Sequence, residues 1–334
     1  MARLSRLKYS DPEEGYYHVI SRTVQQEFML REKEKEYFMK LLKKLSQVYF
    51  VRVVTFALLS NHAHLICQMI RSDQVSDEDL RRRFDIYYNE DVPKKRQRIF
   101  IEEDRDQLRK RFGDLSCFVQ DLKQRFSRWY NREHKRYGHV WAERFKSVLL
   151  GDTRALLACM VYVELNAVRA GLVSSPEEYR YCGLHHYVAG GQISKWLDHG
   201  SLAKSLPSVS EEPGYTSKDL MMRYLRIIYV EGMDESSGKV CISEEDVDYS
   251  LETEFVDLGV LCFTRRIRYF SDGVMLGSKS FCEEKFNEFR SYFQTRRDRT
   301  GKLISMKHKK KKISAPEGNL LHLHSIRSFT RLDQ

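Results

Sequence analysis

The chain has 334 residues, 42% of them hydrophobic, and a formal net charge of +10 from 57 Lys+Arg against 47 Asp+Glu. That length is roughly two domains' worth, with apolar material enough for a core, which excludes a wholly disordered polymer and a disulfide-stapled miniprotein. A mean hydropathy of −0.55 and the lack of an apolar run of about 18 residues exclude a membrane span, while the positive charge favours a polyanionic partner only weakly, because both signs are abundant.

Met1–Arg6 runs into charged sequence, so no secretory signal is expected. Tyr16–Thr23, aromatic and β-branched, predicts a strand. Glu32–Val48 places Tyr37, Phe38, Leu41, Leu42 and Leu45 at helical spacing, which predicts an amphipathic helix. Phe50–Leu59 and His62–Ile70 predict two strands joined by a short turn at Ser60-Asn61. Residues 71–110 are dense in charge and predict a helical insertion. Helix resumes over Leu115–Glu133, where Leu115, Phe118, Val119, Leu122, Phe126 and Trp129 form an apolar stripe. Arg144–Leu150 predicts another strand, and Asp152-Thr153 caps a helix from Arg154 to about Arg169 that Gly171 stops.

Strand, helix, strand, strand, helix, strand is the βαββαβ order of a ferredoxin-like antiparallel sheet, with one helix appended. Beyond about residue 190 the signal weakens. Asp219–Val230 and Ser280–Arg290 predict helices, Val260–Phe270 a strand pair, and Gly273–Lys279 a turn joining two elements. The expected fold is therefore α+β: a ferredoxin-like domain over 1–188 with 71–110 inserted, then a mainly helical accessory region over 189–334.

The seven cysteines (Cys67, Cys117, Cys159, Cys182, Cys241, Cys262, Cys282) form no CxxC pair and no zinc-like spacing. Such a set reads as reduced thiols of a cytoplasmic protein, each a small buried hydrophobe. Charge is unevenly placed. Residues 1–190 hold 34 basic against 26 acidic side chains. Glu231–Asp257 holds ten acids against one Lys, and Phe286–Lys312 ten basic residues against two acids.

The sharpest chemical feature is His62-Ala63-His64. Residues i and i+2 of a strand share a face, so both imidazoles project together. Paired imidazoles suit a divalent transition metal, or Mg²⁺ shared with a substrate phosphate. The same spacing also describes two half-exposed strand residues, and His322-Leu323-His324 repeats it where no role is assigned. On the Arg154–Arg169 helix, Tyr162 and Asn166 are four residues apart and share one face. Packed across the imidazoles, that helix would bring a phenol and an amide oxygen to a metal-bound phosphate. Spacing alone describes equally well a packed aromatic and a helix-terminal Asn.

His62-Ala63-His64 resembles the His-hydrophobic-His signature of HUH single-strand endonucleases. The run Tyr162–Gly171 is similar to the "YIELNPVRAG" stretch of the REP-associated tyrosine transposases. Tyr17–Arg22 resembles their "YHVINR", Leu58–Leu65 their "MPNHVHLL", and Gly138–Ser147 their "GHLWQGRFKS". The four blocks come in order over residues 16–173. Ala167 stands where the family has proline, and Leu59-Ser60 replaces Met-Pro. These departures touch helix ending and turn rigidity rather than chemistry. The resemblance implies a metal-dependent endonuclease and strand transferase acting on single-stranded, REP-like hairpin DNA. In that reading Tyr162 is the nucleophile of a 5′-phosphotyrosine intermediate. His62 and His64 hold Mg²⁺ or Mn²⁺, and Asn166 occupies the position of a third ligand from the tyrosine helix.

Lys123–Lys146 carries eight basic residues interleaved with Phe126, Trp129, Tyr130, Tyr137 and Trp141, a pattern suited to phosphates and unpaired bases. Arg125, Arg128, Arg132, Lys135 and Arg136 are the expected exposed set, with Arg144 and Lys146 also expected to contact DNA. Arg265, Arg266, Arg268, Lys279 and the basic run at 296–312 suggest an accessory DNA-binding part, which a solvated charged surface explains nearly as well. The competing class is a domesticated, non-catalytic DNA-binding protein that keeps the fold. An RNA-binding ferredoxin-like module fits less well, for want of aromatic RNP strands. A monomer and a homodimer are both open, and no membrane partner is expected.

Overall fold

Along the first strand, Tyr17, Val19 and Ser21 alternate with His18 and Ile20, and all five are buried. A strand buried on both faces belongs inside a sheet with layers on either side. The computed structural model describes residues 7–9, 15–90, 92–206, 217–232, 270–271, 273–292, 302–303 and 324–327, and in it this strand, β1 (Gly15–Arg22), is central.

β1 leads through α1 (Glu32–Ser46) to the hairpin of β2 (Val51–Leu58) and β3 (His62–Met69). The excursion between β3 and the next long helix holds α2 (Asp77–Tyr88) and α3 (Arg105–Phe112). Then come α4 (Leu115–Glu133), β4 (Lys146–Leu150) and α5 (Thr153–Glu164). Short helices α6 (Asn166–Arg169), α7 (Gly183–Ala189), α8 (Gly191–Ser194) and α9 (His199–Ser205) follow, then α10 (Ser217–Gly232). β5 (Gly273–Gly277), a helix we number α11 (Lys279–Glu288), β6 (Lys302–Leu303) and β7 (His324–Arg327) complete the described elements.

The strands form one mixed sheet in the order β2-β3-β1-β4-β5-β7-β6. β1 is antiparallel to both β3 and β4, β2 is antiparallel to β3, and β5 joins β4 in parallel. Over β1 to β4 the elements follow the predicted order, within a few residues at each end. Among the described residues of 189–334 helix predominates, as expected, while β5, β6 and β7 extend the sheet. The Gly273–Lys279 segment, expected as a turn, is strand β5 and the start of α11. Asp152 shows how this part is tied down. Its carboxylate caps α5 through Ala155 N at 2.8 Å and accepts from Ser278 N at 2.8 Å, before α11. All but the first two residues of the acidic segment, all but two residues of the 296–312 run, and 260–269 of the expected strand pair lie outside the described residues.

Two layers cover the sheet. α1 and α4 pack on each other, with Tyr37 stacked on Trp129 at 4.0 Å and Phe38 edge-on to Phe126 at 5.4 Å. Tyr17 lines a surface groove together with Asp114 and Leu115 at the start of α4, so this layer lies on the Tyr17 face of β1. α5 lies on the other face. From Ala155 to Glu164 every residue of α5 is buried, as expected for a helix apolar all round. Each fully buried Leu, Val or Met there contributes about 1.5–3 kcal/mol. The predicted Arg154–Arg169 helix is in fact broken. α5 ends at Glu164, and after Leu165 the four-residue α6 follows and the chain closes at Gly171, whose φ of 66° is the left-handed conformation glycine tolerates.

Candidate active site

Strand register assembles one face. β1 pairs with β3 so that Arg22 lies opposite His62 and Ile20 opposite His64, and with β4 so that Ile20 lies opposite Lys146. Directly opposed residues share a face. His18, Ile20, Arg22, His62, His64 and Lys146 therefore stand on the side covered by α5. Tyr162 of α5 is brought to this group within the same chain. Its ring centroid is 5.6 Å from that of His64 and 5.9 Å from that of His18. The His62 and His64 rings are 4.9 Å apart.

The phenol is covered. Tyr162 is 2% exposed and stacks face to face on Phe270, centroids 4.7 Å apart and planes inclined by 8°. Burial pushes its pKa up to about 12, with the Cys159 thiol adding in the same sense. Arg169, Arg22 and the Asn166 side chain act in the opposite direction. The Arg169 guanidinium sits 5.8 Å from the ring centroid.

Asn166 is near Tyr162, but its amide is used locally. Its Nδ2 donates to the carbonyl of Tyr162 at 2.7 Å and to that of Val163 at 3.3 Å, satisfying the end of α5. These bonds run to the tyrosine helix itself rather than to either imidazole.

All three imidazoles of the face are held neutral. Burial lowers His18 to about 4, opposed by the Phe270 carbonyl. Burial first and Arg22 second lower His62 to about 4. His64 falls well below the ordinary value through burial, then through His18, His62 and Arg22. Among the described residues, no group of three or more His, Cys, Asp or Glu is arranged to hold a metal ion. A cation at this face would rest on two imidazole nitrogens and on oxygens of another kind, from Asn166 or from a phosphate.

The expected nucleic-acid contacts divide. Arg128, Arg132, Lys135, Arg144 and Lys146 are exposed. Arg125 and Arg136 are instead half-buried, with guanidinium groups 4.6 Å from the Tyr87 ring and 5.8 Å from the Tyr130 ring. Of the interleaved aromatics, Phe126, Trp129, Tyr130 and Trp141 are buried, so they build the core rather than stack on bases. Tyr137, 96% exposed, is the exception. α4 also lies across the sheet from Tyr162, whereas Lys146 and Arg22 share the Tyr162 side. The stripe that made α4 legible as a helix is the reason its aromatics face inward.

Glu164 and His18 are among the residues of the site that carried no expected role. Glu164 is fully buried, where its carboxylate accepts from Thr55 Oγ1 and, at 3.0 Å, from the backbone N–H of Leu184. It clamps the end of the tyrosine helix to β2 and α7, and burial pushes its pKa up to about 7. His18 sits inside a quoted motif block, but its place beside His64 depends on the β1–β3 register, which residue types alone do not reveal.

No described helix is long and apolar enough to cross a membrane. The sequence matches no family model and no curated protein. Among solved structures, the chain is similar to a REP-associated tyrosine transposase bound to a REP hairpin, at 14% identity and a TM-score of 0.39. That match covers 59% of this chain and 93% of the other. A TM-score this low does not establish a shared fold, so the functional reading rests on the residues themselves.

Proposed function

We propose that the chain is a metal-dependent single-stranded DNA endonuclease and strand transferase of the REP-associated tyrosine transposase type, acting on hairpin DNA. One observation carries this reading. Tyr162 stands within 6 Å, ring to ring, of His64 and His18, which come from motif blocks far away in sequence. The strand order β4-β1-β3-β2 supports a ferredoxin-like core.

The donor set fits a divalent cation such as Mg²⁺ or Mn²⁺: two neutral imidazoles on one face, with the Asn166 amide one helical turn from the phenol. Bound there, such a cation would polarise a phosphate and stabilise the charge developing on it. The chain's own residues do the rest. Arg22 and Arg169 favour the phenolate of Tyr162 and attract a phosphodiester. Tyr162 Oη forms a bond to phosphorus while the bond from phosphorus to O3′ breaks. The phenolic proton leaves, one proton arrives on O3′, and a 5′-phosphotyrosine and a 3′-hydroxyl result. Attack by a 3′-hydroxyl reverses the step, so no ATP is needed.

A second reading, a domesticated binder without catalysis, is favoured by one fact: the phenol lies stacked under Phe270. Incubation of labelled hairpin-bearing single strands with Mg²⁺ or Mn²⁺ decides. A covalent protein–DNA adduct, lost in Tyr162→Phe, is expected. Cleavage that survives Tyr162→Phe would sink the nucleophile, and binding without cleavage under any metal would establish the binder.

A further inference from the structure

The His18 ring is hydrogen-bonded at both nitrogens. Nδ1 lies 2.9 Å from the carbonyl oxygen of Phe270, and Nε2 lies 2.9 Å from Nδ1 of His64. A carbonyl oxygen only accepts, so the proton on His18 is at Nδ1. An uncharged imidazole carries one proton, and with that proton on Nδ1 the ring's Nε2 accepts. The proton between the two histidines therefore belongs to Nδ1 of His64. An uncharged His64 with its proton on Nδ1 has a bare lone pair on Nε2.

His62 reaches the same state by another route. Its Nδ1 lies 2.6 Å from Oδ1 of Asn61, whose amide is oriented by donation from Nδ2 to the Gln26 carbonyl at 3.2 Å. An amide oxygen accepts, so His62 also carries its proton on Nδ1. Two different partners thus leave the same nitrogen bare on both rings of the pair. A bare Nε2 is what coordination to a cation requires, and partners at the other nitrogen are what fix it.

We infer that His18 is a positioning residue: through its bond to His64 it holds that imidazole as the Nδ1–H tautomer and aims the Nε2 lone pair at a divalent cation. Both His18 nitrogens are spent, on the Phe270 carbonyl and on His64, so it is not itself a ligand. This rests on the reading of His62 and His64 as ligands, and the test separates the two.

The first measurement is the imidazole ¹⁵N spectrum of the metal-free, full-length protein. The Nδ1–H pattern is expected for His64, and an Nε2–H pattern in the wild type would overturn the inference whatever any variant does. The second compares Mn²⁺ affinity, by titration calorimetry, in the wild type, His18→Phe and His18→Gln. The glutamine oxygen can accept where Nε2 did; phenylalanine cannot. His18→Phe is expected to shift His64 toward Nε2–H and to weaken Mn²⁺ binding about 10–100-fold, with His18→Gln restoring both. An unchanged His64 tautomer in a folded His18→Phe would overturn the role of His18. A tautomer that shifts in a protein whose wild type binds no Mn²⁺ would overturn the ligand reading instead, and with it the purpose assigned to His18.

Discussion

Glu164→Gln is expected to make the protein more stable, and only at neutral and higher pH. In the fold the Glu164 carboxyl keeps its proton up to about pH 7, whereas the unfolded chain loses it near the ordinary 4.5. Between those values the native state binds the extra proton, so unfolding releases it and stability falls as pH rises. A shift of that size is worth about 3 kcal/mol in all, of which about 2.5 kcal/mol falls between pH 5 and pH 8. The geometry says why glutamine escapes the loss. A protonated Glu164 can donate to Thr55 Oγ1 while its other oxygen accepts from Leu184 N, and glutamine reproduces both bonds with no charge to desolvate. Urea unfolding of the metal-free proteins at pH 5 and pH 8 checks this, because every other titrating group is common to both and cancels. The variant should match the wild type within about 1 kcal/mol at pH 5 and exceed it by about 2–3 kcal/mol at pH 8. A difference that is the same at both pH values would show that Glu164 is ionised in the fold and refute the reasoning.

Phe270→Ala should cost about 3–5 kcal/mol of stability by emptying a fully buried site, and should raise the nitration of Tyr162 read residue by residue in mass spectrometry; unaltered protection would show that something else covers the phenol. Gly183→Ala would set a Cβ 2.0 Å from Thr55 Oγ1, and the strain should lower the urea midpoint by the equivalent of about 1–3 kcal/mol. Hairpin-DNA affinity should fall in Arg22→Gln and Lys146→Gln, each reducing the salt slope by about one. Arg128→Gln and Arg132→Gln, across the sheet, should change affinity less than about twofold; a larger loss from the α4 pair would move the DNA track to the other layer.

How much of this was legible depended on whether local pattern or pairing decided it. α4 was readable to both ends, because its apolar stripe has helical period and Asp114 caps it, accepting from Cys117 N at 2.8 Å. The hairpin bearing His62 and His64 was readable from two largely apolar runs around a short turn. The placement of His18 was not, since a shift of one residue in strand register would move it to the other face. The break after Glu164 was also hidden. Nothing in Glu164-Leu165-Asn166 forbids helix, and what ends α5 is the Asn166 side chain taking the carbonyl of Tyr162. The basic residues of α4 and the segment after it misled for a related reason: exposure was assigned by residue type, while Arg125 and Arg136 lie along tyrosine rings. β5 was missed because its partner strand, β4, lies over a hundred residues earlier.

The covered phenol and the proposed chemistry place opposite demands on Tyr162. Raising its pKa from the ordinary 10 to about 12 makes the phenolate about 3 kcal/mol harder to reach, and a side chain 2% exposed offers no path to a phosphorus atom. Phe270 contributes to both obstacles through its ring. Its carbonyl meanwhile accepts from His18 and so helps keep the proton arrangement of the imidazole pair. Phe270, shortly before β5, therefore touches both the nucleophile and the histidine that positions the candidate ligand, by two different groups. Displacing the ring alone would free the phenol and leave the backbone bond to His18 in place; displacing the backbone as well would release both. Phe270→Ala removes only the ring. If the variant exposes Tyr162 while the His64 tautomer stays as in the wild type, the two contacts are separable, and a DNA strand could uncover the nucleophile without disturbing the imidazoles. If the tautomer changes with the ring, covering and ligand orientation form one unit, and uncovering Tyr162 would cost the site its metal geometry.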